Sequence, residues 1–253
     1  MSREVRNNVS DGRIVGGRYE IKYLISESQA AAIAQFIRPY MRLDRYCELQ
    51  PKGSYPVASL YLDSKGLQLC RESMEGRKNR FKLRIRSYTD QSNYPCFFEI
   101  KRRANAIIIK DRVRVMPHNV ETLLSGLSLP AQNINGDGET LEQFRLYIAS
   151  IGARPVVRTR YQRQAFEGIL DNTVRITFDR NLSCNVTSAP DVGLNGQGWH
   201  RLPLNGVVLE IKFTGRYPAW LGQMVKYFNL RQQSVSKYVH SIKRASLLGS
   251  LMA

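Results

Sequence analysis

Three copies of Glu-Ile-Lys, at Glu20-Ile21-Lys22, Glu99-Ile100-Lys101 and Glu210-Ile211-Lys212, place a carboxylate and an ammonium two residues apart. In an extended strand residues two apart share a face, so each Glu and Lys points one way and the Ile the other. Elsewhere cations alternate with aliphatic or aromatic residues: Lys82, Arg84 and Arg86 among Phe81, Leu83 and Ile85, then Lys110, Arg112 and Arg114. The chemistry open to such faces is electrostatic. Guanidinium and ammonium groups hold phosphate oxygens, Arg in a bidentate fork. A few carboxylates among them can hold Mg²⁺ or Mn²⁺, which bridges phosphates. A solvated sheet face alternates in the same way, but it usually mixes signs to limit repulsion between strands. Here Arg and Lys dominate, and the pattern recurs along the chain.

Other routes to catalysis are missing from the sequence. There is no phosphate-binding Gly-x-x-x-x-Gly-Lys loop, no Gly-x-Gly-x-x-Gly, no His-Glu-x-x-His and no Gly-x-Ser-x-Gly. His118, His200 and His240 stand apart, without metal-ligand spacing. Any chemistry must then rest on cations, carboxylates and a bound metal ion.

The elements that position these residues follow from periodicity. Strands are expected over 18–25, 57–62, 80–88, 97–101, 107–115, 156–166, 173–178 and 207–213, with a hairpin turn at Asp171-Asn172. Ser26-Glu27-Ser28-Gln29 forms a capping box for a helix carrying Ala30, Ile33, Ala34 and Ile37. Further helices are expected from Asp63 or Ser64 to about 75, and over 120–127, 141–151, 220–230 and 234–248. The segment 185–205, rich in Gly, Asn, Ser and Pro, reads as a long loop. The amphipathic helices need an apolar surface to cover, and the Ile and Val faces supply it. The charged faces would then line an interior. An antiparallel eight-stranded closed β-barrel of α+β class, with helices packed outside, meets these demands.

The chain of 253 residues is 43% hydrophobic and carries a formal charge of +17, from 38 Lys and Arg against 21 Asp and Glu. It is long enough for a substantial core, and its charge calls for an anionic partner. Nucleic acid is the weakest candidate, because aliphatic side chains rather than stacking aromatics sit between the cations. Cys47, Cys70, Cys96 and Cys184 form no Cys-x-x-Cys pair and read as reduced thiols of a cytoplasmic protein. Residues 1–17 are polar, lack an apolar core and read as a flexible N-terminal tail, leaving 18–248 as one domain. No apolar run approaches the roughly 18 residues of a membrane span, so a soluble chain is expected.

The residues also carry a resemblance. Arg18-x-Glu20-x-Lys22, Lys82-x-Arg84-x-Arg86, Phe98-Glu99-Ile100-Lys101 and Leu209-Glu210-Ile211-Lys212-Phe213 look like the triphosphate tunnel metalloenzymes. With Tyr161-x-Arg163-x-Ala165-Phe166, Val174-Arg175-Ile176-Thr177-Phe178-Asp179 and Ser236-Lys237-Tyr238, the chain is most similar to the VTC domain of polyphosphate polymerases, over roughly 18–243. CYTH-type triphosphatases open with Glu-x-Glu-x-Lys; Arg18 stands in place of the first Glu, which favours the polymerase branch.

The resemblance implies that Lys22, Arg84, Arg86, Lys101, Lys110, Arg163 and Arg175 line a tunnel and hold phosphates. Tyr161, Ser236 and Lys237 would contact terminal phosphates or the incoming chain, and Glu210 would hold Mn²⁺ or Mg²⁺. Glu20 and Glu99 are either further metal ligands or salt-bridge partners, the second being preferred. Strand parity separates Arg158 and Arg160 from Arg163, which is expected to face inward. The implied reaction passes the γ-phosphoryl of ATP to a polyphosphate chain, and an ionised terminal phosphate needs no strong base. A triphosphatase or a non-catalytic polyphosphate-binding module would use the same residues. The C-terminal helix, with Lys237, Lys243 and Arg244, would cap a tunnel mouth, rest on an acidic membrane protein or present a solvated face.

Overall fold

The computed structural model describes residues 18–105, 107–127, 138–170 and 173–247. The expected N-terminal tail and the turn at Asp171-Asn172 lie outside this set. Eight strands form the main path: β1 (Arg18–Ile25), β3 (Tyr55–Asp63), β4 (Asn79–Ser87), β5 (Cys96–Ala104), β6 (Ile107–Val115), β7 (Arg154–Gly168), β8 (Val174–Val186) and β10 (Val207–Thr214). Two short strands that periodicity does not reveal, β2 (Met41–Leu43) and β9 (His200–Arg201), pair with β7 and β8. The order is β1-β10-β8-β7-β3-β4-β5-β6, with antiparallel neighbours throughout.

This order corrects the expectation of a closed eight-stranded barrel. The sheet has ten strands, and its path ends at β1 and β6, which share no hydrogen-bonded ladder among the described residues. The two edges do curl toward each other, with Cα atoms within 8 Å. Two features occupy the seam. The Gln233 N–H donates to Lys22 O at 3.0 Å, so an irregular segment takes up a carbonyl of β1. Lys101 on β5 also reaches Glu20 on β1, with Nζ 2.7 Å from Oε2. An inserted segment and a side-chain ion pair stand where a ladder would close a barrel.

Helices cover the convex face as the apolar alternation requires. The capping box at Ser26 is complete, with Ser26 Oγ accepting from Gln29 N and Gln29 accepting from Ser26 N, and starts α1 (Glu27–Phe36); such a cap contributes about 1 kcal/mol. Ala30 and Ile33 of α1 and Leu221 and Met224 of a later helix (Ala219–Tyr227) bury Ile176, Phe178, Leu209 and Ile211. On the other half, Leu123, Leu141 and Phe144 from the helices Val120–Leu124 and Gly138–Ile151 cover Leu83, Ile85, Phe98 and Ile100. The expected helix after Asp63 begins later, at Gln68–Met74, because Leu67 before it is left-handed at φ 54°. Asp63 still caps it, its carboxylate accepting from Leu69 N and Cys70 N at 2.9 Å.

The C-terminal helix Lys237–Leu247 departs from the outer layer. Tyr238 stacks on Tyr61 at 4.8 Å, and Tyr61 shares a face with the charged residues of β4 through its register with Arg84. The Tyr238 hydroxyl also donates to the fully buried Asp63 at 2.5 Å. This helix therefore packs into the concave side. All four cysteines are free thiols and buried. No helix among the described residues is long and apolar enough to cross a membrane.

Candidate active site

Strand parity converges the charged residues on the concave face. The register sets Arg84 opposite Glu99, Glu99 opposite Arg112, and Lys82, Lys101 and Lys110 in one row. Across the sheet, Lys22 faces Glu210 and Glu210 faces Thr177, while Arg163 faces Asp179. The face encloses a cavity of about 1780 Å³ lined by Arg84, Arg86, Lys101, Lys110, Tyr161, Arg163 and Arg175 among others. Lys22, Lys101 and Ser236 border a second cavity of about 550 Å³, together with Lys82, Arg80 and the segment that fills the seam. Glu20 and Lys101 line both, so their ion pair lies where the two spaces meet.

Each carboxylate on this face is wrapped in cations. Glu99, fully buried, pairs with Arg84 and Lys110, both at 2.7 Å. Those groups and Arg86 hold its carboxyl well below the ordinary range although burial alone would raise it. Asp179 accepts from Arg163 Nε and Nη2 at 2.7 and 2.8 Å and from Lys237 Nζ at 2.6 Å. Against the cost of burial, these cations keep its pKa down at about 2. Glu210 lies 2.9 Å from Lys212 Nζ and 3.9 Å from Arg163. Burial would raise its pKa, but Lys212, Lys22 and Lys237 keep it well below the usual value. Glu20 pairs with Lys22 at 3.0 Å as well as with Lys101. Burial and Glu210 would raise its pKa, yet the surrounding lysines hold it at about 2.

The lysines divide. Burial and neighbouring cations push Lys82 down to about 7, and burial with Arg84 and Arg86 pushes Lys110 to about 7 despite Glu99. Lys101 falls to about 8, through burial and Lys22, with Glu20 opposing. Lys22 moves the other way: burial opposes its charge, but Glu210 and Glu20 outweigh it and raise its pKa. A buried cation with a lowered pKa is one short of anionic partners, which an incoming phosphate supplies.

The remaining predicted residues are anchored around this core. Arg86 donates to Ser59 Oγ at 3.3 Å and to Tyr161 Oη at 3.4 Å. Lys237 Nζ sits 4.8 Å from the Tyr161 ring centroid. Ser236 caps the C-terminal helix through Val239 N and accepts from Lys82 Nζ at 3.0 Å. Arg175 is held at 2.5 Å by Asp44, itself the N-cap of the short helix Arg45–Glu48. Glu210 and Lys237 lie beneath the cavity surface, touching the residues that line it. Arg158 and Arg160 flank Trp199, their guanidinium carbons 5.1 and 4.3 Å from its ring, and the bulge between Arg160 and Gln162 lets Arg160 line the larger cavity along with Arg163. Sequence reasoning assigned no role to Asp179, Asp44 or Lys212. For Asp179 a signal existed, since it shares parity with Arg175 and Thr177.

No group of three or more His, Cys, Asp or Glu side chains among the described residues could hold a metal unaided. The donor set still suits a hard cation. Mg²⁺ is commonly held by one or two carboxylates plus substrate phosphates, and Glu210 is a buried carboxylate beside a cation-lined cavity. Thr177 Oγ1, opposite Glu210 in the register, is buried and makes no hydrogen bond among the described residues. The buried Glu210 carboxylate and the unpartnered Thr177 hydroxyl fit a hard cation beside bound phosphate.

A family model described as VTC domain matches residues 17–246. The vacuolar transporter chaperone complex subunit 4 of Schizosaccharomyces pombe is 24% identical over 226 residues, covering 74% of this chain and 31% of that protein. The protein of the same name from Trypanosoma brucei brucei is 26% identical over 306 aligned positions, covering 98% of this chain and 37% of its own. The chain thus spans about a third of the length of these relatives. A solved structure from Bacillus halodurans, provisionally titled an adenylate cyclase, aligns with a TM-score of 0.47 at 14% identity, over 87% of this chain and 95% of that one. At that score it bears on neither fold nor activity.

Proposed function

The chain belongs to the VTC domain family, and on that premise we propose that it transfers the γ-phosphoryl group of ATP to the end of an inorganic polyphosphate chain. One observation carries the reading: a large concave cavity lined by guanidinium and ammonium groups, with no His or Cys among its described lining residues and with Glu210 buried at its floor. Phosphoryl transfer asks mainly for positioning and charge neutralisation. Arg84, Arg86 and Lys110 supply forked and point-charge donors for the γ-phosphoryl oxygens, and Glu99 fixes Arg84 and Lys110 in place. A terminal oxygen of the chain attacks the γ-phosphorus, and the bond to the β-bridging oxygen breaks to release ADP. The attacking oxygen is already ionised, so the cavity needs no histidine base. Lys22, Lys82 and Lys101 surround the adjoining space and would hold the acceptor chain.

Glu210, with Thr177 beside it, would hold Mn²⁺ or Mg²⁺, which supplies neutralisation of bridging phosphate charge. Arg163 and Lys237 hold Asp179 between them, whereas Glu210 meets Arg163 only at 3.9 Å. The relatives are named as subunits of complexes, and we extend to this chain a partner subunit that receives the product. The test is incubation with ATP and Mn²⁺ followed by separation of products by length. Long phosphate chains are expected; orthophosphate alone would replace the reading with a triphosphatase, and no turnover with a binding module.

A further inference from the structure

The rim of the larger cavity is aromatic, which phosphate binding does not explain. Tyr46, Tyr55, Tyr88 and Phe97 follow one another edge-on, with centroid separations of 6.2, 5.9 and 5.8 Å. All four line that cavity, as does Tyr94. Arg112 lies over Phe97 at 3.4 Å, and Phe97 is paired in the register with Arg86. The aromatic band therefore adjoins the phosphate-holding cations. Two of the five rings lining the cavity are largely exposed, Tyr46 at 67% and Tyr94 at 53%. The smaller cavity has one aromatic side chain, Phe81, among its described lining residues.

Phosphate chains have no apolar surface, so exposed rings beside them gain nothing from contact. A nucleobase does offer a π-face, and rings stack on it with little regard to sequence. Resting on the reading that a nucleoside triphosphate is the donor, we propose that the aromatic rim is a nucleobase subsite. The nucleotide enters at this mouth with its triphosphate directed toward Arg86 and Arg84. Tyr46 and Tyr94 present the free faces on which the base stacks, while Tyr55, Tyr88 and Phe97 hold the rim in shape.

Calorimetric titration in EDTA, comparing ATP with inorganic tripolyphosphate, tests this on the wild type and on Tyr46→Ala/Tyr94→Ala. The double variant should bind ATP about tenfold more weakly, the size of one lost base–aromatic stack, with tripolyphosphate within about twofold. Tyr46→Phe/Tyr94→Phe should keep wild-type affinity for both ligands, because stacking needs the ring and not the hydroxyl. Equal weakening for both ligands, or no change for ATP, overturns the subsite. A wild type that binds tripolyphosphate but not ATP overturns it while leaving the phosphate site standing. Binding of neither ligand, in EDTA or after Mn²⁺ is added back in excess, overturns the subsite together with the functional reading beneath it.

Discussion

The two walls of the concave face hold different balances of charge. On β4, β5 and β6, the residues Lys82, Arg84, Arg86, Lys101, Lys110, Arg112 and Arg114 share one inward carboxylate among the described residues, Glu99. On β1, β10, β8 and β7, the cations Lys22, Lys212, Arg175 and Arg163 face Glu20, Glu210 and Asp179. Phosphate wants the first wall and a divalent metal the second. Keeping the carboxylates apart from the densest cations lets one cavity hold an anion and its counter-cation together. Lys110 and Lys82 fall to about 7 on the cationic wall, while on the other Lys22 rises and Lys212 is lowered by burial against the pull of Glu210 and Glu20.

Removing the carboxylate of the second wall should have the largest effect. Glu210→Ala is expected to cut chain synthesis by at least about a hundredfold, the scale of losing a principal electrostatic contact in phosphoryl transfer, with circular dichroism unchanged. Near wild-type synthesis would remove Glu210 as the metal ligand. On the first wall the corresponding change acts on stability. Glu99→Gln leaves Arg84 and Lys110 without their counter-charge and should lower unfolding free energy by about 2–3 kcal/mol, below the usual loss on breaking a fully buried pair because both cations are partly exposed. Added tripolyphosphate should restore part of that loss in a thermal melt.

Arg84→Ala should weaken tripolyphosphate binding by about tenfold, a loss expected for one charge-assisted contact. Arg175→Ala, whose guanidinium is tied to Asp44, should weaken it less. Equal losses would erase the distinction between the walls. The smallest effect concerns pH. A lysine pKa lowered to about 7 or 8 means that the binding-competent charged form disappears as pH rises through that window. Affinity for sulfate, which does not titrate there, should therefore fall about three- to tenfold between roughly pH 6.5 and 8.5. Lys110→Ala should flatten that profile, whereas Lys22→Ala should move the fall to higher pH, because the Lys22 ammonium is one of the cations that lower Lys82 and Lys101.

Alternation alone makes the cationic wall readable in the amino-acid sequence. Lys82, Arg84 and Arg86 must share a face, and β4 shows them doing so. The boundaries of β1 and β6 and the capping box at Ser26 are legible for the same local reason. Contacts between distant residues are not. Asp44 meets Arg175 across 131 positions, and Asp63 meets Tyr238 across 175. No periodicity encodes such pairs, so these carboxylates pass as ordinary loop or strand-end residues. The open edge is hidden likewise. Parity and strand number are compatible with a barrel, but whether the last ladder forms depends on what fills the seam. Here the segment around Gln233 and the Glu20–Lys101 pair fill it.

The division of labour can be seen directly in crystals soaked with inorganic tripolyphosphate and Mn²⁺, using the anomalous signal of manganese to locate the metal. Manganese is expected on Glu210, with the phosphates spanning from it to Arg84, Arg86 and Lys110. Manganese on Glu99, or phosphates bound outside the concave face, would contradict it.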